Sequence, residues 1–180
     1  MPTRSPSRCG SPRRRVRLAT EADRVDERRR IVNVLLDETS LGPGTPHVTH
    51  DRAAAIFDLL EENHFAPVDG TLGPFILHLG VRENRLVFDV RDESDREAFD
   101  FSVPIAAFRS IVRDYHIVCD SYYEAIRAGT PSRIQAIDMG RRGLHNEGAE
   151  LLQTRLGQHV EVDLDTARRL FTLLCVLHMR

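Results

Sequence analysis

The stretch that decides the fold is residues 75–103, FILHLGVRENRLVFDVRDESDREAFDFSV. Within it, three runs alternate apolar and polar residues, and short polar segments separate them. The apolar positions are Phe75, Leu77, Leu79 and Val81, then Leu86, Phe88 and Val90, then Phe99, Phe101 and Val103. Because successive side chains of a strand point to opposite faces, this pattern predicts a three-stranded antiparallel meander with one buried face.

The first turn of the meander fixes the register of its strands. A four-residue turn at Arg82–Arg85 pairs Val81 with Leu86 and places His78 opposite Asp89 on the other face. A carboxylate beside an imidazole can orient it as a general base. Cross-strand pairs are more often modest stabilisers, contributing about 0.2–1 kcal/mol, so both interpretations of the pair His78 and Asp89 stay open.

After the meander the apolar period changes to that of helices. One helix is predicted from Pro104 to Gly129, with Tyr115 and Cys119 on its apolar stripe. A second runs from Pro131 to about Leu156, with Thr130 as its N-cap, and a third runs from Asp165 to the C-terminus. The C-terminal half of the chain is therefore predicted to be helical.

The region before the meander contributes one strand and one helix. Ile31–Leu36, IVNVLL, is rich in β-branched residues and predicts a short strand. A helix is predicted over 50–64, with a buried stripe formed by Ala53, Ile56, Phe57 and Leu60. The expected fold class is α+β: a small, mostly antiparallel sheet, made of the meander and an N-terminal strand, packed with helices.

Charge and composition divide the chain into a tail, residues 1–28, and a single domain, residues 29–180. Residues 1–30 carry ten arginines against four acids, whereas the whole chain has a net charge of −2. Because the tail is rich in Arg, Ser, Pro and Gly, we expect it to be disordered. The acidic remainder argues against nucleic-acid binding by the folded domain, so nucleic acid is expected only through the tail.

The amino-acid composition also indicates the cellular compartment and excludes some catalytic mechanisms. The 180-residue chain has three cysteines without paired spacing and no lysine. Sparse, unpaired cysteines are typical of a reducing compartment, and no apolar run is long enough to span a membrane, so we expect a cytoplasmic protein without membrane contact. The absence of lysine excludes Schiff-base chemistry and a phosphate-binding loop lysine.

The segment 136–152, AIDMGRRGLHNEGAELL, combines three glycines with dense polar residues inside a helical pattern. Each interior glycine destabilises a helix by about 1 kcal/mol relative to alanine, so a special role is expected here. In a continuous helix, Asp138, Arg142, Asn146 and Glu150 form a ladder of side-chain pairs on one face. The alternative is a pocket for an anionic or polar ligand, built from Arg141, Arg142, His145, Asn146 and Glu147.

Metal and cofactor chemistry find little support in the sequence. His145, Glu147 and Glu150 do not have the spacing of helix-borne metal ligands. Cys119 lies on an apolar stripe and is expected in the core, not as a nucleophile. We therefore expect no metal and no cofactor.

Five segments of this chain resemble a known family. They are RAAAIFDLLEENHFAPV, ENRLVFDVRD, VRDYHIVCDSYYEAI, TPSRIQAIDMGRRGLHNEGAELL and DLDTARRLFTLLCVLHMR. Together they are similar to uncharacterised protein family 0262, small bacterial cytoplasmic proteins without an assigned activity. The resemblance runs from about Arg30 to the C-terminus and implies no catalytic residues.

Three functions from different classes remain open, and the third is nucleic-acid contact through the basic tail, residues 1–28. The first is a non-enzymatic cytoplasmic binding or regulatory protein, whose partner is a protein or a small anionic ligand. The second is a small enzyme acting on an anionic substrate, in which arginines hold the anion and His145 or His78 moves a proton. The first two are separated by whether Arg141, Arg142 and His145 line a pocket together with polar residues of another helix.

Overall fold

The computed structural model describes residues 27–37, 39, 46–129 and 131–177 of the chain. In chain order its elements are β1 (Ile31–Leu36), α1 (Pro46–Glu61), β2 (Phe65–Pro67), β3 (Phe75–Arg82), β4 (Arg85–Arg91), β5 (Glu97–Pro104), a 3₁₀ turn (Ile105–Phe108), α2 (Arg109–Ala128), α3 (Pro131–Leu156), β6 (Val160–Val162) and α4 (Leu164–Leu177). The chain is an α+β protein, as the change of period after the meander predicts.

The main sheet has the strand order β1-β3-β4-β5. Strands β3, β4 and β5 form the predicted antiparallel meander, whereas β1 pairs parallel to β3. Val81 pairs with Leu86, which confirms the predicted register. Glu83 and Asn84 have φ values of 49° and 62°, and this left-handed backbone at both central positions suits the twist of a two-residue hairpin turn.

One face of the sheet forms one side of the hydrophobic core. The buried side chains of the meander are Phe75, Leu77, Leu79, Leu86, Phe88, Val90, Phe101 and Val103. Val81 and Phe99, which the alternation also predicts to be buried, are partly buried and pack against this cluster. The rings of Phe88 and Phe101 stack across neighbouring strands with their centroids 4.7 Å apart.

The three C-terminal helices lie where the apolar stripes predict them. The first begins with the 3₁₀ turn and continues as α2, and Gly129 ends it in the left-handed conformation. Helix α3 is continuous through all three glycines. Thr130, the predicted N-cap of α3, and the last three residues of the chain lie outside the described residues.

The predicted buried stripe of α1 is wrong in half of its members. Ala53 and Phe57 are exposed, with 64% of Phe57 accessible to solvent, and Ile56 and Leu60 are partly buried. The residues that α1 buries are Ala55 and Leu59. Helix α1 is therefore rotated by about one position from the predicted orientation, since adjacent residues on a helix differ by roughly 100°.

A second, two-stranded sheet was not predicted. Strand β2 pairs antiparallel with β6, so that Phe65 faces Val162. The pairing joins the segment after α1 to the connection between α3 and α4. Each strand has three residues, too few for a periodic pattern to be recognised.

Helices α3 and α4 approach each other closely at Gly148. A Cβ atom at this position would lie 2.5 Å from two carbons of the Phe171 ring and closer still to a third. Both residues are buried. Gly140 and Gly143, by contrast, have open space where a Cβ atom would lie, so close packing explains only one of the three glycines.

The predicted disordered tail falls almost entirely outside the described residues. At its end, the Arg28 side chain donates a hydrogen bond from Nε to the carbonyl of Gly73, over 3.0 Å. The carbonyl of Arg28 accepts a second hydrogen bond from the Gly73 amide, over 2.7 Å. The division of the chain at residue 29 stays a prediction.

Candidate functional site

A polar cleft of about 530 Å³ lies between the four helices. Its lining comes from α1 (His50, Asp51, Ala54, Ala55, Asp58), α2 (Tyr115, Cys119, Tyr122, Tyr123), α3 (Arg141, Arg142, His145, Asn146) and α4 (Arg168, Arg169, Thr172). Ligand pockets for small molecules typically have volumes of about 300–1,000 Å³. The cleft is therefore large enough to hold a small molecule.

Two arginines of α3 share one carboxylate at the edge of the cleft. Arg141 donates two hydrogen bonds to Oδ1 of Asp138, from Nε at 3.1 Å and from Nη2 at 2.8 Å. Arg142 forms an ion pair with Oδ2 of the same carboxylate, over 2.8 Å. The spacings of three and four residues place these side chains on one side of a continuous helix. Two positive charges thus face a single negative one.

The two arginines differ in their surroundings. The Arg141 side chain is 30% exposed, and its guanidinium carbon lies 5.2 Å from the ring centroid of Tyr122. The Arg142 side chain is 73% exposed. Burial opposes the charged form of Arg141, but the interactions with Asp138 and Tyr115 together outweigh it and raise the pKa of the guanidinium. The hydrogen bond from Arg141, followed by the charges of both arginines, lowers the pKa of Asp138.

His145 is held in its neutral form on the same wall. Its Nε2 atom lies 2.9 Å from Oγ1 of Thr172, and that hydroxyl donates to the carbonyl of Arg168 over 3.2 Å. The hydroxyl therefore accepts from Nε2, which places the imidazole proton on that nitrogen. Burial, reinforced by the charges of Arg141 and Arg168, lowers the pKa of His145 to about 4.

The arginines of α4 also have acidic or carbonyl partners. Arg168 donates to Oδ1 of Asn146 over 2.9 Å and to Oδ1 of Asp165 over 2.6 Å. Arg169 donates to the carbonyl of Glu62, and its Nη2 atom lies 4.0 Å from a carboxylate oxygen of the same residue. Asp165 lies in the first turn of α4, whereas Glu62 follows the end of α1.

Two titratable groups of the α2 wall, the Tyr115 hydroxyl and the Cys119 thiol, favour their neutral forms. Burial raises the pKa of the Tyr115 hydroxyl and that of the Cys119 thiol. Cys119 is partly buried and lines the cleft, whereas Cys175 is 3% exposed and lies in the core. The prediction of a core position for Cys119 thus holds only in part.

Four of the five predicted site residues come together in the cleft. Arg141, Arg142, His145 and Asn146 line it, whereas Glu147 is exposed and is not part of the lining. Glu147 lies one position past Asn146, and a turn of about 100° carries it away from the cleft, so its role as a site residue stays a prediction. The ladder interpretation also holds in part, because Asp138 and Arg142 pair while Asn146 bonds to Arg168.

Sequence reasoning missed the contributions of α1 and of Thr172. Asp51, Ala54, Ala55 and Asp58 follow spacings of three and four, which place them on one face of α1. That face was hidden by the wrong assignment of the α1 stripe. The sequence does contain a signal for this part of the site: a face of α1 with two alanines between two aspartates.

His78 and Asp89 are cross-strand neighbours, as the register predicts, but they do not form the predicted oriented pair. The imidazole Nε2 of His78 lies 3.0 Å from Oδ1 of Asp95. The Asp89 carboxylate accepts hydrogen bonds from Arg91, the shortest over 2.7 Å, and these lower its pKa. The carboxylate of Asp89 is thus bound by Arg91, and His78 instead contacts the carboxylate of Asp95, in the turn between β4 and β5.

Within the described residues, no group of three or more His, Cys, Asp or Glu side chains is arranged to hold a metal ion. None of the helices in this part of the chain combines the length and the apolar character needed to cross a membrane. The donor groups of the cleft are mostly guanidinium, hydroxyl and imidazole groups.

The fold and the cleft define a class: α+β proteins with a sheet on one side and a polar cleft among four helices on the other. The chain belongs to the family described as Uncharacterised protein family (UPF0262), whose model matches residues 28–180. The match covers every element of the fold and all lining residues of the cleft.

Relatives with the same family name occur in several bacteria. A UPF0262 protein of Rhodopseudomonas palustris strain TIE-1 is 52% identical over 155 residues, covering 86% of this chain and 95% of its own. One from Brucella anthropi is 55% identical over 152 residues, covering 84% and 94%. One from Rhizobium leguminosarum bv. trifolii is 54% identical over 151 residues, covering 84% and 96%. No solved structure matches the chain.

Proposed function

We propose that this chain is a non-enzymatic cytoplasmic protein that binds a small anionic molecule in the four-helix cleft. The observation that carries the proposal is the shared carboxylate of Asp138, which leaves Arg141 and Arg142 with one negative charge between them. Arg168 and Arg169 add two further guanidinium groups from α4. Guanidinium groups recognise carboxylate and phosphate oxygens through paired N–H donors.

Arg142 is the group best suited to meet a ligand. The distance to Asp138 is measured at its Nε atom, and its side chain is 73% exposed, so the guanidinium group can donate to oxygen atoms in the cleft. The Arg141 guanidinium is instead held by Asp138 and Tyr122. Arg141 supports the site through its charge, and Arg142 supplies donors.

The protonation states favour binding over catalysis. A general base works best when its pKa lies near the working pH, and a cysteine nucleophile needs a thiolate. His145 has a pKa of about 4, and burial keeps the thiol of Cys119 protonated. Both groups are thus available as neutral hydrogen-bonding partners and are poor at moving protons at neutral pH. His78, on the sheet, is not part of the cleft lining.

Thermal melts with inorganic pyrophosphate as the probe test the proposal. A ligand at ten times its Kd stabilises the native state by about 1.4 kcal/mol, which raises Tm by roughly 3–5 °C for a chain of this size. We expect this shift in the wild type and its loss in Arg142→Ala. Arg133→Ala, an exposed arginine of α3 outside the cleft lining, is the matched control.

Two results would count against the anion site. One is a wild-type melt that pyrophosphate does not move. The other is an equal loss of the shift in Arg142→Ala and Arg133→Ala, since this would reflect net charge and not the cleft.

A further inference from the structure

We propose that the ligand of the cleft is a zwitterion, with its anionic group at the arginines and a cationic ammonium group at Asp51 and Asp58. The inference rests on the proposed anion site and adds the chemistry of the opposite wall. It specifies one class of small molecule, in which a phosphate or carboxylate and an amine are separated by a short spacer.

The two walls of the cleft carry opposite charge. Helices α3 and α4 present four arginines, whereas α1 presents two aspartates and no basic residue apart from His50. Neither Asp51 nor Asp58 forms an ion pair with any other residue that the structure describes. Each of the four arginines, by contrast, already has a carboxylate within 4.0 Å. Asp51 and Asp58 are therefore the carboxylates of the cleft lining without an arginine partner among the described residues, and Asp51 accepts a hydrogen bond from the Tyr123 hydroxyl.

The shape of α1 leaves room in front of these carboxylates. Ala54 and Ala55 lie on the lining face between Asp51 and Asp58. Side chains of this size keep the middle of the α1 wall recessed, so an ammonium group can approach this wall between the two aspartates. Asp58 is exposed and Asp51 is partly buried, and both line the cleft.

The α2 wall joins the two charged walls. Tyr122 and Tyr123 line the cleft, with their ring centroids 5.7 Å apart. Tyr122 faces the basic side, where Arg141 lies over its ring. Burial raises the pKa of Tyr123, and the neighbouring carboxylate of Asp51 raises it further. The aromatic rings thus offer an apolar surface to the spacer between the charged ends of a ligand.

Ligands with a single kind of charge fit this cleft less well. A purely anionic molecule long enough to span the cleft would bring negative charge against Asp58, and a purely cationic one would face the arginines. Like-charge contacts in a partly dehydrated site are unfavourable. Only a molecule with both charges satisfies both walls at once.

The test compares two probes with the same anion by isothermal titration calorimetry. O-phosphoethanolamine carries phosphate and ammonium groups, and ethyl phosphate lacks the ammonium. We expect the wild type to bind O-phosphoethanolamine at least tenfold more tightly. In Asp51→Asn/Asp58→Asn, and more weakly in Asp58→Asn alone, this ratio should fall towards one while ethyl phosphate still binds. Glu61→Gln, an exposed acid of α1 outside the lining, should keep the wild-type ratio.

The possible outcomes distinguish failure of the zwitterion inference from failure of the proposed anion site. If both probes bind the wild type equally, or if Glu61→Gln lowers the ratio as much as the aspartate variants, the zwitterion inference is overturned and the anion site stands. If neither probe binds, the anion site and the inference both fail. The Asn substitutions preserve side-chain shape, and Asp58→Asn alters an exposed position, so folding can be verified by circular dichroism before each titration.

Discussion

The close approach of α3 and α4 at Gly148 makes a sharp prediction for Gly148→Ala. Alanine is the smallest residue that adds a Cβ atom, and here that atom would overlap the ring of Phe171. The ring cannot move freely because it is fully buried and packs edge-on against Tyr115 and His145, with centroids 6.0 and 5.5 Å away. The substitution must therefore displace the ring or separate the helices.

The expected magnitude follows from two opposing effects. Replacing an interior helical glycine by alanine stabilises a helix by about 0.8–1.0 kcal/mol. Overpacking a close-packed core destabilises by about 1–3 kcal/mol. Because several ring atoms overlap the added methyl group, we take the upper part of that range and expect a net loss of about 2 kcal/mol for Gly148→Ala.

Gly143→Ala is the matched control, because the space around its Cβ position is open. It should raise the free energy of unfolding by about 1 kcal/mol. The two variants should thus differ by about 3 kcal/mol, or roughly 6–12 °C in Tm for a chain of this size. Urea unfolding at neutral pH measures both. If Gly148→Ala is as stable as Gly143→Ala, α3 and α4 do not pack as described.

Three more predictions concern the cleft. Because the pKa of His145 is lowered from 6.5 to about 4, the folded state favours neutral imidazole: stability is full above pH 6.5 and falls as the pH drops towards 4. Urea unfolding should show that the free energy of unfolding falls between pH 7 and 5 by about 2 kcal/mol more in the wild type than in His145→Asn. Equal losses in the two proteins would contradict the buried neutral imidazole. Arg141→Ala should lower the free energy of unfolding by about 1–2 kcal/mol and Arg142→Ala by less than about 0.5 kcal/mol; equal effects in thermal melts would show that both arginines play the same part. Native labelling with iodoacetamide, mapped by mass spectrometry, should modify Cys119 slowly and Cys175 only on unfolding, because burial raises the pKa of both thiols; rapid modification of Cys175 would place it outside the core.

The main elements of the fold could be predicted because their patterns are local. The meander from Phe75 to Val103 and the stripe of α2 each repeat over enough residues to define a period. Strands β2 and β6 could not be predicted, since three residues carry no period and their partners lie far apart in the sequence. The orientation of α1 was also missed, because alanines and apolar residues occur around most of its surface and burial depends on its tertiary neighbours.

The site was predicted only on one side. The cluster on α3 stood out because glycines and arginines depart from an ordinary helical sequence, and four of its five named residues line the cleft. The lining residues of α1 and α4 could not be predicted, because only the three-dimensional packing of these helices brings them to the cleft. In particular, the interaction of Arg168 with Asn146 joins two helices over 22 residues of sequence, and no spacing rule within one helix can reveal it.

The contact between Gly148 and Phe171 means that the residue at one of these positions limits which residues the other can accept. A larger residue at 148 is compatible with this packing only if residue 171 becomes smaller, because the same volume must serve both side chains. Substitutions at the two positions should therefore occur together among related sequences. A small residue at 148 paired with a large ring at 171, or the reverse, would mark relatives in which α3 and α4 keep this separation. Two large residues would mark relatives in which the cleft has a different width.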